Sequence, residues 1–578
     1  MLSEQMGAMV PLVAGLSAGA GAVGAAVGAA AWAVFGKARA RLDLSRAKHR
    51  SLTGHSRMAR RIASVIPFYE FDGDRFFRSD DAPEDVAVRR RDGFMRLAAV
   101  YGTRFPRSTA MTAELREGLS DLQFTSAYRV PFQYSRFVCR HLPVGAVLVS
   151  SAGVTVTDPD GNVFYDLTGS YGVNLLGYDA YKDCILEGSR AVQELGPVLG
   201  AYHPLVADNV ARLRRISGMD EVSFHMSGTE AVMQAVRLAR YHTGRSRVVR
   251  FCGAYHGWWG DVQPGIGNPV PARDTYTLAE MSERSLHVLR TRRDIACVLV
   301  NPLQALHPNG AAPADSSLVN AGRRAGFNRA AYTEWLARLR EVCTGRGIVL
   351  ILDEVFLGFR LAPGGAQEYF GVRADMVTYG KTLGGGLPVG VLCGGHALMM
   401  RSRGHRPVDI CFARGTFNAH PYVMGTMAAF LRRLDSPEVR RLYDGLDESW
   451  NERAALLNRR LAEEALPVQV ANLSTVWTVL YTRPGRYNWM LQYYLRAEGM
   501  ALSWVGTGRL IFSLDYGEAE FAEVVVRFLA AARAMAGDGW WDAGPATNKA
   551  IGRRILREML EHRRKGRGPG DGTGRVRG

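Results

Sequence analysis

Lys381 stands in "DMVTYGKTLGGGLPVG", between β-forming residues and three glycines, Gly384, Gly385 and Gly386. An amine fixed at the end of a strand is positioned rather than merely solvated. If it is partly desolvated near other cations, it loses its proton more easily and can attack an aldehyde carbon. Asp353 ends the apolar run of "GIVLILDEVFLGFR". A carboxylate at the C-terminal end of a parallel strand lies where α/β proteins bind ligands. Its burial is costly unless a cation meets it, and a protonated ring nitrogen would serve; a metal-binding or structural Asp is the alternative. Val355, two residues on, points to the same side and would touch the ring face. In "SGTEAVMQAVRLAR", Ser227, Gly228 and Thr229 open a helix and make a phosphate cradle. Ordinary N-capping by Ser227 is the competing reading. Tyr255 and His256, in "FCGAYHGWWG", would stack on a flat ligand or simply pack a loop, and "GTFNAHP" brings Thr416 in another small hydroxyl turn.

A phosphate cradle, a stacking aromatic, a buried Asp and an activated Lys follow successive strand ends. Together they describe pyridoxal 5′-phosphate (PLP), held on a lysine with a carboxylate at its ring nitrogen. No metal ligands are expected.

The elements that must position these residues are legible as alternating apolar strands and helical stretches between about residues 180 and 435. "EVSFHM", "RVVRFC", "ACVLVN", "GIVLILDEV" and "DMVTYG" are the strands. Such alternation predicts an α/β fold with a mostly parallel central sheet. "GVTVTDPDGNVFYDLTGS" predicts a hairpin before it. The expected divisions are a membrane-anchor helix (1–36), a basic helical extension (37–125) and the N-terminal part of a small domain (126–200). A large cofactor-binding domain (201–435), the C-terminal part of the small α+β domain (436–545) and a basic disordered tail (546–578) follow.

The chain of 578 residues is 47% hydrophobic and carries a net charge of +17. That balance suits an anionic partner or reflects an arginine-rich composition. No nucleic-acid-binding signature is present, so no nucleic-acid partner is expected. Seven scattered cysteines without a CxxC pair argue against a disulfide framework and for a reducing compartment. Residues 9–35 contain no charged side chain, and Lys37, Arg39 and Arg41 follow at once. This predicts an N-terminal transmembrane helix with the catalytic part cytoplasmic. A flexible tail, a signal peptide and a soluble cytoplasmic protein are the alternatives.

The joint pattern of "GSYGVNLLGY", "SGTEAVMQAVRLAR", "YHG", "LDEVFLGFR", "GKTLGGGLPVG" and "GTFNAHP" resembles the class III aminotransferases of PLP fold type I. It is most similar to the glutamate-1-semialdehyde 2,1-aminomutase branch, over about residues 130 to 535. The resemblance implies a homodimer in which Thr416 reaches the neighbouring subunit's cofactor phosphate. Ser227, Gly228 and Thr229 would hold the phosphate, with Tyr255 on the ring beside His256 and Val355. Asp353 would pair with the ring nitrogen, and Lys381 would form the internal aldimine and then move the substrate's proton. Tyr171 and Arg136 are the substrate-contact candidates, although a surface arginine reads equally well at 136. Two departures stand out: Asn301-Pro302 replaces the family's Glu-Pro, and "WWGDVQPGIGNPVP" is shorter than the aminomutase's gating loop. The implied activity is amino transfer between an amino donor and a carbonyl acceptor, with membrane contact through residues 9–35. Intramolecular aminomutase activity and an inactive tethered scaffold are the alternatives.

Overall fold

The computed structural model describes residues 32, 34–49, 56–122, 130–263, 265–270, 272–310, 324–502, 508–542, 544 and 546–565. The expected membrane run, 9–35, lies almost wholly outside the described residues. Among those described, no helix is long and apolar enough to cross a membrane.

The predicted hairpin is present. Strands β1 (Ser150–Ala152), β2 (Thr155–Thr157) and β3 (Val163–Asp166) pair in antiparallel order. The Asp158 carboxylate closes the turn by accepting from the N–H groups of Asp160 (3.0 Å) and Asn162 (2.9 Å), the usual reason for Asx residues at such a turn.

Seven strands then build the central sheet. They are β4 (Glu221–His225), β5 (Arg247–Phe251), β6 (Thr275–Leu278), β7 (Ile295–Val300), β8 (Val349–Asp353), β9 (Met376–Gly380) and β10 (Gly390–Gly394). Their spatial order is β4-β10-β9-β8-β7-β5-β6. β10 alone runs against its neighbours. β7, "IACVLV", and β8, "VLILD", are buried throughout, so they read as unbroken apolar runs. Strands β6 and β10 escape the sequence reading; "GVLCG" looks like turn material until its neighbours are known.

A two-stranded ribbon, β11 (Ser402–Arg403) with β12 (Arg406–Ile410), follows. The C-terminal layer contains β13 (Val468–Leu473), β14 (Val476–Tyr481), β15 (Met500–Ala501) and β16 (Arg509–Ile511). β15 pairs in parallel with β3, so the smaller layer is assembled from both sides of the central sheet's sequence.

Among the described residues of the arginine-rich stretch are the helices Glu84–Arg104 and Pro106–Gly118. Its aromatic residues Phe76 and Phe94 pack edge-on against Trp540. Fully buried Arg90 donates to the carbonyls of Phe77 and Gly539 and pairs with Asp80 at 2.8 Å.

The tail expectation is corrected for part of its length: Asn548–Lys565 is a helix. Glu558 of this helix pairs at 2.5 Å with buried Arg486, which also donates to the Ser79 carbonyl. The basic composition hid an amphipathic pattern that gives the helix something to pack against. All seven cysteines lie among the described residues, and none is in a disulfide.

Candidate active site

The one antiparallel strand sets the level of the site. Gly390 of β10 lies opposite both His225 of β4 and Gly380 of β9. Ser227 and Lys381 therefore leave the sheet at the same height, one strand apart. The approach is so close that a Cβ on Gly390 would lie 1.9 Å from the Ser227 carbonyl oxygen. Val355 fills the space beside them. Its Cγ1 would lie 2.5 Å from a Cβ on Gly228 and 3.2 Å from one on Gly380.

Ser227 is the N-cap of helix Gly228–Thr243. Its hydroxyl accepts from Glu230 N–H at 3.2 Å, and Glu230 accepts from Met226 N–H at 2.9 Å. The two bonds together fix the first turn and the residue that enters it. The capping role is thus realised, and it does not use the N–H groups of Gly228 and Thr229. Those groups have no carbonyl partner within the helix and sit at its positive end. The Tyr255–Gly257 loop closes over Thr229, whose Oγ1 would be 2.6 Å from a Cβ on Gly257.

Asp353 ends β8 and is buried. Its Oδ2 is 2.7 Å from His256 Nδ1, while Oδ1 accepts from Val355 N–H and the Thr378 hydroxyl, each at 3.2 Å. His256 therefore acts through Asp353. Its Nε2 is buried without a hydrogen-bond partner among the described residues. Tyr255 exposes 57% of its surface. Burial of the rest, and the nearby Asp353 charge, raise its phenol above the ordinary value.

Asn301 explains one departure from the family pattern. Its amide nitrogen donates to the Tyr255 carbonyl at 3.0 Å, and its oxygen accepts from Leu303 N–H at 3.1 Å. A carboxylate could not make the first bond. The residue ties down the Tyr255 loop.

Lys381 opens a short 3₁₀ turn, Lys381–Gly384, with a left-handed φ of 44°. Burial lowers its amine below the ordinary lysine value; Arg360 pushes the same way and Asp353 opposes. The neighbouring Glu354 serves structure. It accepts from Ala366 N–H at 2.5 Å, and burial pushes its carboxyl up to about 7.

Phe356, Arg509, His307 and Thr378 are site residues that sequence reasoning missed. Lys381 Nζ lies 5.8 Å from the Phe356 ring centroid, and the Arg509 guanidinium 5.9 Å from the same ring. Arg509 donates to His307 Nε2 at 3.2 Å. Burial lowers its guanidinium to about 10, which leaves it charged at neutrality. Phe356 stands inside the quoted "LDEVFLGFR" and could have been found there. Arg509 carries no local signal.

The remaining candidates divide. Tyr171 follows Ser170 in a turn where both have left-handed φ, 56° and 46°. That turn packs on Phe356, whose ring would be 2.9 Å from a Cβ on Gly172. Thr416 is exposed. Arg136 does not join the group. Its guanidinium pairs with Glu70 at 3.0 Å and lies over Phe68, with 72% of the side chain exposed. Counting back from the hairpin misplaced it, because the helix Phe132–His141 belongs to the extension's packing.

The group fits PLP. Gly228 and Gly390 admit close backbone approach, two first-turn N–H groups await an anion, Asp353 is held by three donors, and Lys381 is desolvated.

The family model described as aminotransferase class-III matches residues 139–261 and 322–512. Glutamate-1-semialdehyde 2,1-aminomutase of Alkaliphilus oremlandii is 35% identical over 310 residues, which cover 50% of this chain and 67% of that protein. A structure of a transaminase with PLP bound is 26% identical with a TM-score of 0.56, covering 76% of this chain and 98% of that one. The β-phenylalanine aminotransferase of Variovorax paradoxus shares the fold, with a TM-score of 0.60 at 23% identity over 80% of this chain and all of that one.

Proposed function

We propose, for a chain that belongs to the class III aminotransferase family, that it moves an amino group from a carboxylate-bearing amino donor to a carbonyl acceptor. PLP is the cofactor. The observation that carries the reading is half-buried Lys381 at the end of β9, beside the buried Asp353–His256 pair at the end of β8.

When bound, PLP supplies an aldehyde for the amine and an electron sink for charge developing on the substrate. The chain supplies the rest. Burial raises the neutral fraction of Lys381 Nζ, which makes it a nucleophile and then a base able to hold and return a proton. Asp353, fixed by His256, Thr378 and the Val355 N–H, orients a buried negative charge toward a ring nitrogen. The first-turn N–H groups of Gly228 and Thr229 bind the phosphate, and Tyr255 covers the ring.

Arg509 supports the carboxylate. No carboxylate of the described residues pairs with this half-buried cation, and it shares the Phe356 ring with Lys381. A substrate anion would meet a partly desolvated charge that no carboxylate of the described residues compensates. Exposed Trp258 (71%), Phe412 (67%) and Phe417 (51%) support a second copy of the chain, in which Thr416 would complete the neighbour's site.

The likeness to the aminomutase favours intramolecular transfer as a second reading. Against it, the loop after Gly257 is tied to the extension: Arg60 donates to the carbonyls of Asn268, at 3.0 Å, and Pro269. A gating loop needs freedom that these bonds remove.

The test is a visible absorbance spectrum of the purified protein, followed during addition of amino donors. The lysine-bound cofactor band should be present, absent in Lys381→Ala, and convert with a carboxylate-bearing donor. Arg509→Gln should raise that donor's KM with little change in the starting spectrum. Turnover without any external acceptor would favour the mutase. Failure to bind PLP in excess would overturn the enzyme reading.

A further inference from the structure

The helix Asn548–Lys565 lies outside the segments matched by the family model. One side of it is committed to the protein. Ile551 is buried, Arg554 donates to the Ser79 carbonyl at 3.2 Å, Glu558 pairs with Arg486, and His562 stacks on Tyr69 with centroids 4.9 Å apart. The opposite side carries Lys549, Arg553, Arg557, Arg563 and Arg564, all exposed. Leu556 and Leu560 lie in the middle of that arc, 57% and 49% exposed. The spacing from residue 549, at +4, +7, +8, +11, +14 and +15, keeps these seven side chains on one helical face. No acidic residue falls within it.

A second patch lies on the segment whose Tyr69 packs against this helix. Tyr69, which stacks on His562, ends a stretch from residue 44 to residue 69 that contains no acidic side chain. Within it Met58, Ile62, Val65 and Phe68 are exposed, at 51%, 37%, 47% and 62%, alongside exposed Arg57 and Arg61. Apolar side chains interleaved with arginines recur on two elements that touch.

We propose that these two patches form one docking surface for an anionic lipid bilayer. The cations meet headgroup phosphates, and the leucines and Phe68 enter the boundary between headgroups and acyl chains. Nucleic acid would use the same charge, but it offers nothing for exposed aliphatic side chains at the centre of the cationic arc. The surface thus holds the catalytic part against a membrane independently of what residues 9–35 do.

The experiment is co-sedimentation of the full-length holoprotein with vesicles of phosphatidylcholine alone or mixed with phosphatidylglycerol, at low and high salt. Wild type should partition onto the anionic vesicles and be released by salt. With each cation near the surface contributing about 5-fold, the Arg553→Gln, Arg557→Gln, Arg564→Gln triple variant should lose roughly 100-fold in partitioning. Leu556→Gln with Leu560→Gln should weaken binding to anionic vesicles as well. The melting temperature and the cofactor absorbance band should stay at wild-type values in both; if one variant misfolds, the other decides. Equal partitioning of wild type and variants would overturn the proposal, because residues 9–35 would then account for all binding. Absence of vesicle binding would overturn it too, as would binding to duplex DNA that the variants lose while vesicle binding is unchanged.

Discussion

Replacing Gly390 by alanine tests the phosphate cradle without touching it chemically. The added Cβ would sit 1.9 Å from the Ser227 carbonyl oxygen, 2.4 Å from its carbon and 3.1 Å from the Gly228 nitrogen. All three are backbone atoms, so no side chain can swing aside. The strands must part by about 1.5 Å to restore ordinary contact, against the β4–β10 register and the Ser227–Glu230 capping. Overpacking of this kind costs about 1–3 kcal/mol of stability. The shift also turns the Gly228 and Thr229 N–H groups away from an anion. Losing one charge-assisted hydrogen bond of about 1.5–3 kcal/mol weakens cofactor binding roughly 10- to 100-fold. The assay is titration of the apoenzyme with PLP, read by absorbance, alongside a thermal melt. Gly395→Ala is the control: its Cβ would have Asp220 Oδ2 3.6 Å away as nearest neighbour, and its φ of −67° suits alanine. If Gly390→Ala folds and binds PLP as wild type does, the turn after β4 is not the phosphate site.

Two further outcomes are expected. Burial holds the Lys381 ammonium below its ordinary value of 10.5. Between the folded and unfolded values the unfolded chain binds more protons, so apoenzyme stability rises with pH toward 10.5, and the burial penalty is fully present below the folded value. Urea midpoints of wild-type apoenzyme and Lys381→Met should therefore converge as pH rises from neutrality; a constant gap would contradict the desolvation. Arg60→Ala removes the bonds to Asn268 and Pro269. Hydrogen exchange in the 257–270 loop should then quicken several-fold while the β8 and β9 amides keep wild-type protection, and unchanged exchange would show that the extension does not restrain the loop.

Legibility in the sequence followed how local each signal was. Asp353 and Lys381 were readable because each ends a strand whose apolar run or flanking glycines mark it. Ser227 was readable as a helix start, although only coordinates show that capping leaves the next two N–H groups for a ligand. Strand β10 was hidden, because its glycines exist to let β4 and β9 approach it, and that requirement is invisible along the chain. Arg509 comes to share the Phe356 ring with Lys381 only after the C-terminal layer folds back. Arg136 was misplaced because spacing from a hairpin says nothing about which helix face meets Glu70. Asn301 looked like a lost carboxylate, but its amide is what the Tyr255 carbonyl requires. The helix Asn548–Lys565 is masked in the sequence by its charge, which obscures the helical period of Ile551, Glu558 and His562.

The closure of the smaller layer also bears on how the chain is made. Arg90 binds the Gly539 carbonyl, β3 takes β15 as its partner, and Arg486 finds its anion in Glu558. The central sheet, by contrast, is complete once β10 has been synthesised. A ribosome therefore releases a finished sheet domain while Phe76, Phe94 and the hairpin still wait for partners near the far end. Contacts of such separation form slowly and leave apolar surface exposed in the interval. A chain stopped before residue 558 would keep Arg486 buried without its counter-charge, a defect of about 3–5 kcal/mol. The helix Asn548–Lys565 thus locks the smaller layer, because the counter-charge of Arg486 reaches it only when this helix docks.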